Sequence, residues 1–248
     1  MSHAPTLDEL WRSTPAAAET FSPAHLEGLP EVARRYLEHT ITPGTMLASA
    51  VRLRMHGEIK LRGWLPFTAE QVIRWDRGLI WHARVSARGV TIRGFDRLVD
   101  GVGEMRWRVL GLIPVMTAAG PDITRSAAGR MAAESLWLPS VLCRRAVTWT
   151  AWDASRVQAA FTVAGEEVAV ELAVDGAGRL ESTKLRRWGN PGGAPFQYVD
   201  FGGLATREAT FAGYIIPAQL RVGWHFGALR FEPEGEFFRC EIDRAEFR

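Results

Sequence analysis

The sequence predicts a mainly β protein: a large curved antiparallel sheet of about eleven strands, forming a half-barrel, with one long mid-chain helix and a short N-terminal helix on its concave side. Three observations lead there. Apolar and polar residues alternate over a long run near residue 50. Later strand-like runs are separated by short turns, and turns that short demand antiparallel neighbours, because parallel pairs need long crossovers. Only one long stretch, after Pro121, shifts to a helical composition. A chain of 248 residues can still be one all-β domain. The expected division is a flexible N-terminal arm over 1–22 and a single half-barrel domain over 23–248.

Up to about Ser22 the chain mixes Pro, Ala, Ser and Thr, which reads as a poorly ordered arm or a short helix around Leu7 to Arg12. In PEVARRYLEHT, Val32, Tyr36 and Leu37 recur at helical spacing behind Pro30, a residue suited to a first turn. From Ala50 to Arg62 one parity holds Val51, Leu53, Met55, Ile59 and Leu61, interrupted only by Gly57, and the other holds Arg52, Arg54, His56, Glu58, Lys60 and Arg62. That strand puts one face on a core and one in water. His56 and Glu58 share the wet face and read as solvated or cross-strand paired residues.

Further strands are expected at Gln71 to Trp75, Leu79 to Ala87, Val90 to Val99 and Glu104 to Leu112, with turns at Asp76-Arg77-Gly78, Arg88-Gly89 and Asp100 to Gly103. The segment DITRSAAGRMAAESLWLPSVLC reads as the long helix, with Asp122 placed to favour its dipole. Strands resume at Val147 to Trp152, Arg156 to Val163, Glu167 to Val174, Arg179 to Arg187, Leu204 to Phe211, Ala218 to Phe226 and Gly235 to Phe247. GNPGGAP, from Gly189 to Pro195, reads as a loop.

Hydrophobic residues at 47% and charged residues at 23% exclude disorder as the main state. A net charge of +2, from 30 basic and 28 acidic residues interspersed along the chain, gives no footprint for nucleic acid. Cys143 and Cys240 lack metal-site spacing, so no structural zinc and no disulfide framework are expected. The N-terminus carries acids early and has no basic region followed by an apolar one, which predicts a cytoplasmic location. No run approaches the ~18 apolar residues of a transmembrane helix. The nucleophile elbow, phosphate loop, zinc-helix and dinucleotide signatures are absent, so no cofactor is expected. Gly101-Val102-Gly103 lies in a turn and lacks a third glycine. Nothing in the pattern specifies an oligomeric state.

Two features point toward a ligand. The first is ten tryptophans, most of them in or beside strands. Trp64, Phe67, Trp75, Trp107, Trp137 and Trp224 are the expected lining of an apolar cavity under a sheet too wide to be filled by its own side chains. The alternative is that these rings simply pack the core. The second is in the helix, where Ile123, Ala127, Arg130, Glu134, Trp137, Leu138 and Val141 fall on one side. Arg130 and Glu134 therefore sit in an apolar stripe, four residues apart, either as a latch for the helix or as the polar end of the cavity. Ser126 lies one turn earlier.

The strings WLPFTAEQV (Trp64 to Val72), RGFDRLVDGVGEMRWRVLGLIPV (Arg93 to Val115), GPDITRSAAGRMAAESLWLPS (Gly120 to Ser140), GYIIP (Gly213 to Pro217), GWHFG (Gly223 to Gly227) and FFRCEIDRAEF resemble an uncharacterised bacterial family known only as a domain of unknown function. The resemblance covers about Leu29 to Arg248 and implies no activity. The order of elements, and the DGAGRLES segment from Asp175 to Ser182, are similar to the bacterial lipoprotein carriers (the LolA-like half-barrel). That likeness implies a greasy concavity plugged by helices. Those carriers are periplasmic or membrane-anchored, in contrast to the location expected here.

The leading expectation is a binding protein for a hydrophobic small molecule, lipid or acyl chain. A second is an enzyme, a cyclase, isomerase or hydrolase, with Arg130 as electrophilic stabiliser and Glu134 as general acid or base. A third is a structural domain with a solid core.

Overall fold

The computed structural model describes residues 5–87 and 89–248. In chain order the elements are α1 (Leu7–Arg12), α2 (Glu31–Thr40), β1 (Ala50–Lys60), β2 (Trp64–Arg74), β3 (Gly78–Ala87), β4 (Val90–Val99), β5 (Val102–Val109), β6 (Ile113–Ala119), α3 (Pro121–Ala133), β7 (Thr148–Ala151), β8 (Arg156–Val163), β9 (Glu166–Val174), β10 (Leu180–Gly189), β11 (Gln197–Phe211), β12 (Tyr214–Trp224) and β13 (Glu236–Phe247). The chain is mainly β, as expected. Its strands form one sheet in the order β6-β5-β4-β3-β2-β1-β13-β12-β11-β10-β9-β8-β7, and every neighbouring pair is antiparallel.

Among the described residues the count is thirteen strands rather than about eleven. β6 was not expected, because Ile113–Ala119 is an edge strand exposed along almost its whole length and so shows no burial alternation. The expected long helix is also corrected. α3 ends at Ala133 and the chain continues as 3-10 turns at Glu134–Trp137 and Pro139–Cys143. Pro139 has no N–H to continue a helical ladder and disfavours helical geometry at the preceding residue; Leu138 accordingly sits at φ −136°, ψ 62°.

Several hairpins close as their dipeptides require. Asp100-Gly101, Ala164-Gly165 and Ala212-Gly213 all have positive φ at both positions, the conformation that matches the twist of a two-residue hairpin. Gly103, expected in the turn, instead lies within β5, where α3 crosses it closely. A Cβ there would stand 2.6 Å from the Thr124 backbone, and the Gly103 N–H donates to Thr124 Oγ1 at 2.9 Å. Of the expected Arg88-Gly89 turn, Arg88 lies outside the described residues.

α3 lies across the concave face and touches both arms of the curve, β4 to β6 on one side and β8 to β10 on the other. α2 and the 3-10 turns fill the centre of the concavity. There Trp137 Nε1 donates to Pro217 O at 3.0 Å, Ser140 Oγ donates to Ala48 O at 2.7 Å, and Tyr214 Oη donates to Met46 O at 2.5 Å while accepting from Ala48 N at 2.9 Å. The early segment forms the helix alternative. Thr6 and Glu9 make a reciprocal capping box, and Leu7 and Leu10 bury against Val72, Ile80 and Val99 on the convex face. Among the described residues no helix is long and apolar enough to cross a membrane.

Candidate functional site

Strand register carries the site. On the concave parity of the first arm, Leu53 pairs with Gln71, Gln71 with Trp81, Trp81 with Asp96 and Asp96 with Met105, so one row across five strands holds two polar residues among apolar ones. On the second arm Thr183 and Arg187 occupy the concave parity of β10, and Phe201, Trp224, Val222 and Phe238 follow on the next strands. Between the arms and beneath α3 is a cavity of about 280 Å³. Its wall is mostly apolar, from Trp81, Phe201, Trp224, Phe237 and Phe238 among others.

Two glycines let large rings lie flat on the sheet. An added Cβ at Gly94 would meet the Trp107 indole at 2.3 Å, and one at Gly189 would meet the Trp224 indole at 2.2 Å. These positions are small because a ring occupies the space a side chain would take.

The polar end of the cavity is built from four charged side chains. Arg130 Nε donates to Glu134 Oε1 at 2.7 Å and Nη1 donates to Asp96 Oδ2 at 3.0 Å, while its guanidinium lies 5.0 Å from the Trp81 ring centre. Gln71 Nε2 donates to Glu134 Oε2, so both carboxylate oxygens are engaged. Trp107 Nε1 donates to Asp96 Oδ1 at 2.9 Å. Burial raises the Asp96 carboxyl above the usual carboxylate range, against the opposing pull of Arg130 and the indole hydrogen bond. Burial alone would lower Arg130, but the carboxylates of Glu134 and Asp96 outweigh it and hold the cation above its ordinary value.

Arg187 is different. Its Nε donates to Ser126 O at 3.0 Å and its Nη2 reaches Ser126 Oγ at 3.4 Å, yet among the described residues it has no carboxylate in ion-pair contact. Its guanidinium lies 4.5 Å from the Phe201 ring centre and 5.0 Å from that of Trp224. Burial, with the nearby Arg130 charge adding to it, pushes its pKa down to about 9.

Of the residues expected at the site, Ser126, Arg130, Glu134, Trp137 and Trp224 line the cavity. Phe67 and Trp107 stand one layer behind: Phe67 stacks on Phe238 at 5.0 Å, and Trp107 packs on Trp81 at 5.6 Å. Trp64 and Trp75 are not in the lining. Trp64 carries the Arg239 guanidinium 4.1 Å from its ring centre, and Trp75 packs on Phe161 at 5.6 Å. Gln71, Asp96, Thr183 and Arg187 were missed. Each is a polar residue on the apolar parity of its strand, a signal that period-2 reading contains.

Comparison with family models matches residues 27–247 to a family of unknown function (DUF6920). Comparison with the curated proteins finds no match. Among solved structures, the chain is similar to a LolA superfamily protein from Nitrosomonas europaea at 8% identity and a TM-score of 0.46, over 88% of this chain and 92% of that one. It is also similar to a domain assigned to outer membrane lipoprotein sorting in Vibrio parahaemolyticus, at 8% identity and a TM-score of 0.39, over 81% and 86% of the two chains.

Proposed function

We propose that this chain, which belongs to the family of unknown function DUF6920, is a binding protein for a hydrophobic small molecule or acyl chain held in the concavity of its sheet. The observation that carries the reading is the cavity of about 280 Å³ beneath α3, walled by aromatic rings from both arms of the sheet and open to few polar groups. A concave, mostly apolar space with a small convergent set of polar side chains is the general form of a small-molecule site. The space supports this reading over a solid structural core. The engagement of both Glu134 oxygens by Arg130 and Gln71 favours holding a ligand over proton transfer by that carboxylate.

Native mass spectrometry of freshly purified protein tests the proposal. A co-purified apolar molecule, released by denaturation and displaced by added fatty acid or alcohol, is the expected result. Purified protein that carries no such molecule and takes up no acyl probe overturns it.

A further inference from the structure

We propose that the ligand is an amphiphile with an acidic head, a carboxylate or phosphate on an apolar body, and that Arg187 is the cation that receives the head. This inference rests on the hydrophobic-ligand reading and adds the chemical class of the polar end.

The argument begins from the partners of the charges in the cavity. Arg130 has two carboxylates, Glu134 at 2.7 Å and Asp96 at 3.0 Å, and each of those acids has a further donor. Arg187 lines the same cavity with only the oxygens of Ser126 as acceptors. Its Nη1 makes no hydrogen bond among the described residues. Glu134 and Asp96 act on this guanidinium only at longer range and are engaged by Arg130, so Arg187 has no carboxylate in contact, and desolvating a charge without a contacting partner is costly. The free edge is also the one with the right geometry. With aromatic rings at 4.5 and 5.0 Å, the remaining N–H groups form a planar fork that matches the two oxygens of a carboxylate or phosphate.

Two further donors in the lining are left without acceptors. Thr183 Oγ1, on the same face of β10 as Arg187 and 4% exposed, has no hydrogen-bond partner among the described residues. Trp81 Nε1, in a side chain 2% exposed, has none either. Buried polar groups are rarely orphaned, and these two atoms, closed off from solvent in the wall, show that this end of the cavity is short of acceptors.

The position of Arg187 is also built into the helix above it. A Cβ at Gly129 would stand 2.9 Å from Arg187 Cγ, so α3 leaves out a side chain where the arginine stem passes. The lowered pKa has the same direction: burial and the neighbouring Arg130 charge disfavour the cation more than Glu134 and Asp96 support it.

The test is a titration of the delipidated full chain with dodecanoate, dodecyl phosphate and dodecanol, followed by calorimetry and tryptophan fluorescence, beside acetate and inorganic phosphate as anions without an apolar body. The expected result is that at least one of the two acidic amphiphiles binds ten-fold or more tightly than dodecanol, and the stronger of the two identifies the head. In R187M the preference falls to less than two-fold while dodecanol binding stays, and R187K keeps part of it. Because it removes a partly buried charge that has no carboxylate in contact, R187M also melts at or above the parent's temperature, so a loss of preference is not a loss of fold.

Three outcomes overturn the inference. One is equal binding of acids and alcohol by the parent. Another is a preference that survives R187M. The third is binding of acetate or inorganic phosphate as tightly as the amphiphiles, which would make the anion alone the ligand. Failure of the underlying reading looks different, since none of the three dodecyl probes would then bind.

Discussion

Replacing Glu134 with alanine separates the two roles expected of the Arg130–Glu134 pair. Three consequences follow from the geometry. Arg130 loses the 2.7 Å contact at Nε but keeps Asp96 at 3.0 Å, so its charge is weakened in partnership and not orphaned. Gln71 is fully buried and its Oε1 already has no partner among the described residues, so loss of the acceptor for Nε2 leaves a complete amide unsatisfied. An orphaned buried donor costs about 1–3 kcal/mol. Breaking one arm of a buried ion pair adds about 2 kcal/mol, below the ~3–5 kcal/mol of a pair with no third partner. The sum is about 4 kcal/mol. For a chain of this size each kcal/mol moves the melting temperature by about 2–4 °C, so E134A should melt about 8–16 °C lower. The double variant E134L/Q71L removes the stranded amide along with the carboxylate and should recover about 1–3 kcal/mol of the loss. Urea unfolding of parent, single and double variants, read by tryptophan fluorescence, measures all three. E134A within 1 kcal/mol of the parent, or a double variant no more stable than the single, would refute the reasoning that these groups form one buried network.

Gly94→Ala forces a methyl to within 2.3 Å of the Trp107 indole and 2.5 Å of Arg106 O, and thermal melting should show a loss of about 1–3 kcal/mol with altered near-ultraviolet circular dichroism from the displaced ring. Tyr214→Phe removes the hydroxyl that joins Met46 O to Ala48 N and leaves both backbone groups short of a partner, at a cost of about 1–3 kcal/mol in urea unfolding. Glu236, 2% exposed, is held down to about 2 chiefly by Arg221, with burial opposing and Arg239 assisting. A carboxyl lowered in the folded state stabilises above its unfolded pKa and loses that contribution as pH falls through the folded one. The parent should therefore lose about 3 kcal/mol between pH 4.5 and 2 from this group, and E236Q should flatten that part of the stability–pH curve.

The strands that the alternation revealed are those with one wet and one dry face. β1 shows this best, because its outer parity is almost entirely charged. Strand ends at prolines were harder to read. Pro66, Pro114 and Pro217 all lie inside strands, yet each sits where its strand is paired on one side only. β3 joins β2 from Phe67 onward, β6 is an edge, and β13 joins β12 from Gln219 onward. A proline without an N–H loses nothing there. The site was half legible. Arg130, Glu134 and Ser126 stood out because helical spacing placed charges in an apolar stripe, and the structure brings all three to one cavity. Asp96 and Arg187 were hidden because they meet only through the curvature that brings β4 and β10, strands that do not pair, to one cavity, and local spacing does not encode that meeting of residues 91 positions apart. Trp64 and Trp75 lie outside the lining for two reasons that richness in tryptophan does not foretell: Trp64 is on the parity of β2 opposite Gln71, and Trp75, just past the end of β2, packs on Phe161 elsewhere in the core.

The strand order also bears on how the chain reaches this shape. β1 through β6 and β7 through β13 each run as an unbroken meander, so all pairings but one join neighbours in sequence. The exception is the seam between β1 and β13, where Met55 faces Ile242 and Gly57 faces Cys240. Closing that loop costs about 2.6 kcal/mol more conformational entropy than closing a ten-residue hairpin, by the logarithmic dependence on loop length. The seam is tight as well: a Cβ on Gly57 would overlap Arg239 O at 2.0 Å. Zipping within the two halves is cheap and local, and their union is the expensive event. The meeting of the two halves along β1 and β13 is therefore the expected slow step, and stopped-flow refolding should find that substitutions at Met55 or Ile242 slow folding more than those in the outer hairpins.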